Sequence, residues 1–142
     1  MKDAINVKWM GDMAFEAEVN NHRILVDAKP EVGGNNLGPR PKSLVMVSLA
    51  GCTGMDVVSI LKKMKVEVDS FNVRVEAELA DEHPKRYTGM HLVYEFSGND
   101  LPLDKIRHAI ELSQEKYCGV SATYKKAMDL SYEIKILPKE IK

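Results

Sequence analysis

Two cysteines are the residues of this chain best suited to covalent chemistry. Cys52 lies in Ser48-Leu49-Ala50-Gly51-Cys52-Thr53-Gly54-Met55-Asp56, and Cys118 in Glu115-Lys116-Tyr117-Cys118-Gly119-Val120-Ser121. A thiolate attacks peroxide oxygen or disulfide sulfur, and a second thiol can turn the resulting sulfenic acid into a disulfide. The other candidates are poorer. His22, His83, His91 and His108 are scattered without His-x-x-x-His spacing. Two cysteines without a Cys-x-x-Cys argue against a structural zinc site. Gly33-Gly34 lacks the Gly-Lys-Ser/Thr of a phosphate loop, and Gly51-x-x-Gly54 sits inside an apolar stretch.

The surrounding chain limits what the thiols are for. Its 142 residues suit one domain spanning 1–142. A net charge of -1, from 20 basic and 21 acidic residues, gives no electrostatic case for nucleic acid or an anionic membrane. The first residues, Met1-Lys2-Asp3, carry charge where an export signal has its apolar core. No run reads as long and apolar enough to cross a bilayer. The expected compartment is therefore the cytoplasm, where thiols are mostly reduced. Cysteines there serve as packing residues, as metal ligands or as redox groups.

The elements that must position the thiols follow from periodicity. Ile5–Trp9, Met13–Val19 and His22–Asp27 alternate as three strands of a meander, with turns at Gly11-Asp12 and Asn20-Asn21. Residues 29–40 are loop by composition. Pro41 opens a long helix carrying Leu44, Val45, Val47, Leu49, Cys52, Met55, Val58, Leu61 and Met64. Apolar and small residues nearly encircle it, so it is expected to be buried on all sides, with a sheet on one face and a second helix layer or a partner subunit on the other. Asp69–Ala80 and Tyr87–Phe96 read as a long hairpin. A second helix starts at Pro102 and breaks at Cys118-Gly119, a short helix runs from Ser121, its cap, to Ala127, and Leu130–Ile136 closes as a strand. The order is βββ-α-ββ-αα-β: an α+β domain with an antiparallel sheet on a long buried helix.

This order, with one cysteine in the buried helix and another just after a later one, resembles the OsmC/Ohr superfamily (osmotically induced protein C and organic hydroperoxide resistance proteins). The likeness covers the whole chain. It is carried by Pro41-Lys42-Ser43-Leu44, by Ser48-Leu49-Ala50-Gly51-Cys52, by Glu115–Ser121, and by the cysteine separation, 118 − 52 = 66 residues. The resemblance implies an interwoven homodimer with active sites at the subunit interface. It implies a thiol peroxidase for organic hydroperoxides, with Cys52 peroxidatic and Cys118 resolving. It requires no metal, haem or flavin, and an external dithiol as reductant.

The chain also departs from that family. The familiar members steady the thiolate with an arginine held by a glutamate just after the helix-opening proline. Lys42 stands at that glutamate's position, and Met10-Gly11-Asp12-Met13 occupies the turn where the arginine is usual. Arg40 and Lys42 are the candidate substitute cations, with solvated residues at a helix start as the competing reading. Asp56 lies one turn after Cys52, where a carboxylate disfavours the thiolate. Two further functions stay open: a non-catalytic protein of this fold binding a small apolar or thiol-reactive ligand, and a redox sensor.

Overall fold

The computed structural model describes residues 1–138. The strands are β1 (Asn6–Trp9), β2 (Phe15–Val19), β3 (His22–Val26), β4 (Ser70–Leu79), β5 (Tyr87–Ser97) and β6 (Asp129–Ile136). The helices are α1 (Ser43–Lys63), α2 (Leu103–Leu112) and α3 (Gly119–Tyr124), with a π-turn over Ser113–Tyr117 between the last two. The expected βββ-α-ββ-αα-β order is therefore observed. The chain forms two compact units, Met1–Val45 and Met46–Lys142.

In the N-terminal unit β1, β2 and β3 form an antiparallel meander. Asn20 and Asn21 both take left-handed backbone, φ 50° and 66°, as a two-residue hairpin turn demands. The segment after β3 is not a shapeless loop. The buried Asp27 carboxylate accepts the backbone N–H groups of Ala28, Asn35 and Leu37, at 2.7, 3.0 and 3.1 Å. These bonds, with the nearby Arg40 charge, hold its carboxyl below the usual range. The returning chain passes so close to β3 that a Cβ on Gly34 would lie 1.9 Å from the Ala28 carbonyl oxygen, and one on Gly38 2.1 Å from that of Leu25. Only glycine permits that approach.

The second unit is built on β4-β5-β6. β4 and β5 form the expected hairpin, but β6 runs parallel to β5, so the sheet is mixed rather than antiparallel throughout. Alternation shows where strands are, not which way they run. The direction follows from α2, the π-turn and α3 lying between β5 and β6, because a crossover of that length is what parallel neighbours need. Tyr94 and Phe96 of the central strand are fully buried. Phe71 stacks on Phe96 at 4.4 Å between ring centroids, and Tyr132 meets Tyr94 edge-on at 5.8 Å.

α1 begins at Ser43, two residues after Pro41, which sits in the preceding turn. Its 21 residues are long and apolar enough to cross a bilayer by length and composition, contrary to the expectation that no run is. In this fold the helix has another use. It buries one stripe, Leu49, Thr53, Val57 and Leu61, at helical spacing of four. Gly54 faces β4, where a Cβ would meet the Val73 side chain at 3.6 Å, an ordinary van der Waals contact. Within one chain the burial is one-sided: Val47, Met55 and Val58 stand exposed on the remaining surface.

The stripe contains one polar residue, Thr53, and it joins three elements. Its hydroxyl is 2.7 Å from Tyr94 Oη on β5 and 2.7 Å from Ser113 Oγ at the start of the π-turn. Ser113 in turn donates to Asp56 Oδ2 at 2.9 Å, and Gln114 Nε2 donates to Tyr94 Oη at 2.7 Å. The two ends fix every proton between them. Ser113 spends its hydrogen on Asp56, so Thr53 donates to Ser113 and Tyr94 donates to Thr53. The result is one directed chain, Gln114 to Tyr94 to Thr53 to Ser113 to Asp56. Burial pushes the Tyr94 phenol up, which keeps it a donor. Thr53→Val should preserve the volume and leave the Tyr94 hydroxyl without its acceptor. We expect a loss of about 1–3 kcal/mol, seen as a lower urea midpoint at unchanged m-value. An unshifted midpoint would mean the chain of hydroxyls contributes nothing to stability.

Candidate active site

Cys52 projects from the middle of α1, one residue before Thr53, and is half-buried. Cys118 is 3% exposed and sits where the π-turn ends and α3 begins. Its φ and ψ, -77° and 102°, are extended, and its Sγ accepts the Ser121 N–H at 3.3 Å. Cys118 is therefore the N-cap of α3, a place the sequence assigned to Ser121. Sulfur is a weak acceptor and an unusual cap, so residue type alone points to Ser121, three residues further on.

The fold brings the sequence-predicted thiols together. Cys52 Sγ, Cys118 Sγ and an Asp56 carboxylate oxygen all lie within 4.8 Å of one another. The Cys118 thiol and the Val120 N–H both act on the Cys52 thiol, in opposite senses. The first turn of α3 presents the Ser121 N–H to the Cys118 sulfur. Asp56 is one turn along from Cys52, as expected, and Ser113 holds it in place.

The electrostatics resist a thiolate at rest. Burial pushes the Cys52 thiol up, and so do its hydrogen bond to Cys118 and the charges of Cys118 and Asp56; the Val120 N–H works the other way. The candidate cations belong to the N-terminal unit. Arg40 there donates through Nη1 to the Gly38 carbonyl at 2.9 Å, and its charge acts on Asp27. Lys42 lies exposed in the turn ahead of α1.

Several residues around the site were not legible as such. Thr53, Tyr94, Ser113 and Gln114 read as core or helix positions, yet they form the polar chain ending at Asp56. Lys125 adjoins Lys126, a pairing that in sequence suggests only a helix end or a solvated face. Its Nζ instead donates to the Gln114 carbonyl at 2.8 Å and approaches Glu115 Oε1 at 3.4 Å. It caps a carbonyl of the π-turn, a geometry common at functional sites and without a sequence signal of its own. Asp56 also lines a cleft of about 390 Å³ with Ser59, Ile60, Lys63, Leu112 and Tyr117.

The sign of the Asp56 effect is testable. Alkylation of Cys52, followed on its own peptide by mass spectrometry, should rise with pH through a midpoint above the ordinary thiol range. Asp56→Asn removes a negative neighbour and should move that midpoint down. A midpoint that stays or rises would show that the carboxylate does not act on Cys52.

Comparison with known proteins places this architecture. The OsmC-like protein family matches residues 33–133. Protein YhfA of Escherichia coli K12 is 34% identical over 131 residues, covering 90% of this chain and 95% of YhfA. A hypothetical protein from Aquifex aeolicus superposes with a TM-score of 0.84 at 26% identity, over 99% of both chains. The organic hydroperoxide resistance protein OhrB of Bacillus subtilis shares the fold, with a TM-score of 0.63 at 19% identity over 94% of this chain and 98% of its own. The match across most of the chain, with the identity to YhfA, shows that this protein belongs to the OsmC-like family.

Proposed function

We propose that the protein is a thiol-dependent peroxidase that reduces organic hydroperoxides. One observation carries the reading: the two sulfurs, 66 residues apart in sequence, lie within 4.8 Å of each other. Such proximity is what a sulfenic acid needs to be trapped by a second thiol. Family membership and the fold shared with OhrB support the same chemistry.

The roles follow from exposure. Cys52 is the more accessible sulfur and is the nucleophile; Cys118, nearly enclosed, is the resolving thiol. Cys52 sulfur attacks the outer peroxide oxygen and the O–O bond breaks. The thiol proton ends on the departing oxygen, giving an alcohol and a Cys52 sulfenic acid. Cys118 sulfur then attacks Cys52 sulfur. The sulfenic hydroxyl leaves with the Cys118 proton as water, and the disulfide forms. An external dithiol restores both thiols by exchange. The Val120 and Ser121 N–H groups stabilise negative charge on the sulfurs during these steps. The cleft beside Asp56 offers Ile60, Leu112 and Tyr117 to the organic part of the substrate. No cofactor takes part in this cycle, which runs in the cytoplasm.

One observation favours the alternative of a non-catalytic ligand-binding protein. Burial and Asp56 both hold the Cys52 thiol up, which slows attack at neutral pH. Peroxide consumption separates the two. Cys52→Ser should abolish turnover with cumene hydroperoxide and dithiothreitol. Cys118→Ser should permit one turnover and leave a dimedone-reactive sulfenic acid. Unchanged turnover in Cys52→Ser would remove Cys52 from the mechanism, and two alkylatable thiols after stoichiometric peroxide would favour ligand binding.

We also propose that the working form is an interwoven homodimer. The apolar surface left open on α1, with Met55 76% and Val58 53% exposed, is what a second copy covers. Trp9 and Phe15 of the N-terminal meander are exposed as well. Met55→Glu/Val58→Glu should convert the protein to monomer by analytical ultracentrifugation and lower its Tm. A double variant that sediments as wild type would place the interface elsewhere.

A further inference from the structure

We propose that Cys52, Cys118 and Asp56 form a binding site for a soft divalent cation, and that zinc(II) is the cation it fits. The donor set is two sulfurs and one carboxylate oxygen, a set suited to zinc. The three donor atoms lie within 4.8 Å of one another. With Zn–S bonds of about 2.3 Å, neighbouring sulfurs around a tetrahedral ion stand roughly 3.8 Å apart. A closure of about 1 Å therefore brings these donors onto the metal. Three protein ligands leave a fourth position for water or a small ligand. The sequence has no Cys-x-x-Cys and gave no reason to expect zinc. The fold assembles the set from residues 56 − 52 = 4 apart on α1 and from the cap of α3.

The second ring of contacts suits a metal as well. Ser113 holds one Asp56 oxygen at 2.9 Å, which orients the carboxylate and leaves its other oxygen. Ser121 gives its N–H to the Cys118 sulfur at 3.3 Å. Ligand atoms steadied in this way bind metal more tightly. The Ser121 hydroxyl is buried in the same turn and is the one such side-chain atom without a hydrogen-bond partner among the described residues. An orphan of this kind marks a polar partner still to be accounted for.

Metal binding stands independently of the peroxidase reading. Its consequence rests on that reading: zinc occupies the sulfur that a peroxide must reach, so the metal holds the reduced pair in an inactive, protected form.

The test is a cobalt(II) titration of the reduced, full-length chain, with zinc as competitor. Wild type should show a thiolate-to-cobalt charge-transfer band in the near ultraviolet that zinc abolishes. Asp56→Asn should bind at least about tenfold more weakly while both thiols remain countable. Cys52→Ser/Cys118→Ser, shown to be folded by circular dichroism, should show no band. Diamide joins the two sulfurs while taking up two electrons and two protons, and should release bound zinc to a chromophoric chelator. No band in wild type, or the same band in the double cysteine variant, overturns the site. Tight zinc binding with undiminished peroxide turnover overturns the inhibitory role alone. A metal-free protein that binds zinc but never consumes peroxide keeps the site and removes the peroxidase.

Discussion

The structure of the second unit depends on the hydroxyl of Thr53. It is the polar residue in the buried stripe of α1, and a polar group there is costly unless it is bonded. It meets Tyr94 from the sheet and Ser113 from the π-turn, so one oxygen ties helix, sheet and crossover together. Cys52 is its neighbour in sequence, and Cys118 follows the π-turn that Ser113 begins. Fixing Thr53 against Ser113 therefore sets where each sulfur can be. Apolar packing alone would tolerate a small slide of α1; a chain of hydroxyls with assigned donors does not.

The π-turn is the second part of that arrangement. It widens the end of α2 by one residue, places Ser113 and Gln114 inward together, and delivers Cys118 to the start of α3. The carbonyl of Gln114 is answered by Lys125. The site thus rests on regular elements, α1 and the central strand, and on one irregular turn clamped from both sides.

Much of this was legible in the sequence. The meander, the long helix, the hairpin and the closing strand follow from period and turn residues, because those signals are local. The cysteine pair was legible only through the OsmC/Ohr resemblance, since nothing in a 66-residue gap encodes contact. What sequence did not show is what depends on three-dimensional closure. The parallel direction of β6 comes from the crossover path. The sulfur cap was hidden because serine is the commoner cap. Asp27 was invisible as the organiser of the glycine-rich segment, because its partners are backbone N–H groups that any residue carries. The all-round apolar surface of α1 states that both faces must be covered, and a single chain covers one of them.

The cap at Cys118 has a consequence of its own. The same sulfur that can join Cys52 also holds the first turn of α3, so electron count and local fold share one atom. Drawing electron density from that sulfur weakens its hold on the Ser121 amide, and restoring it tightens the turn again. The oxidation level of this protein is thereby written into its backbone, in the ease with which a single short helix frays.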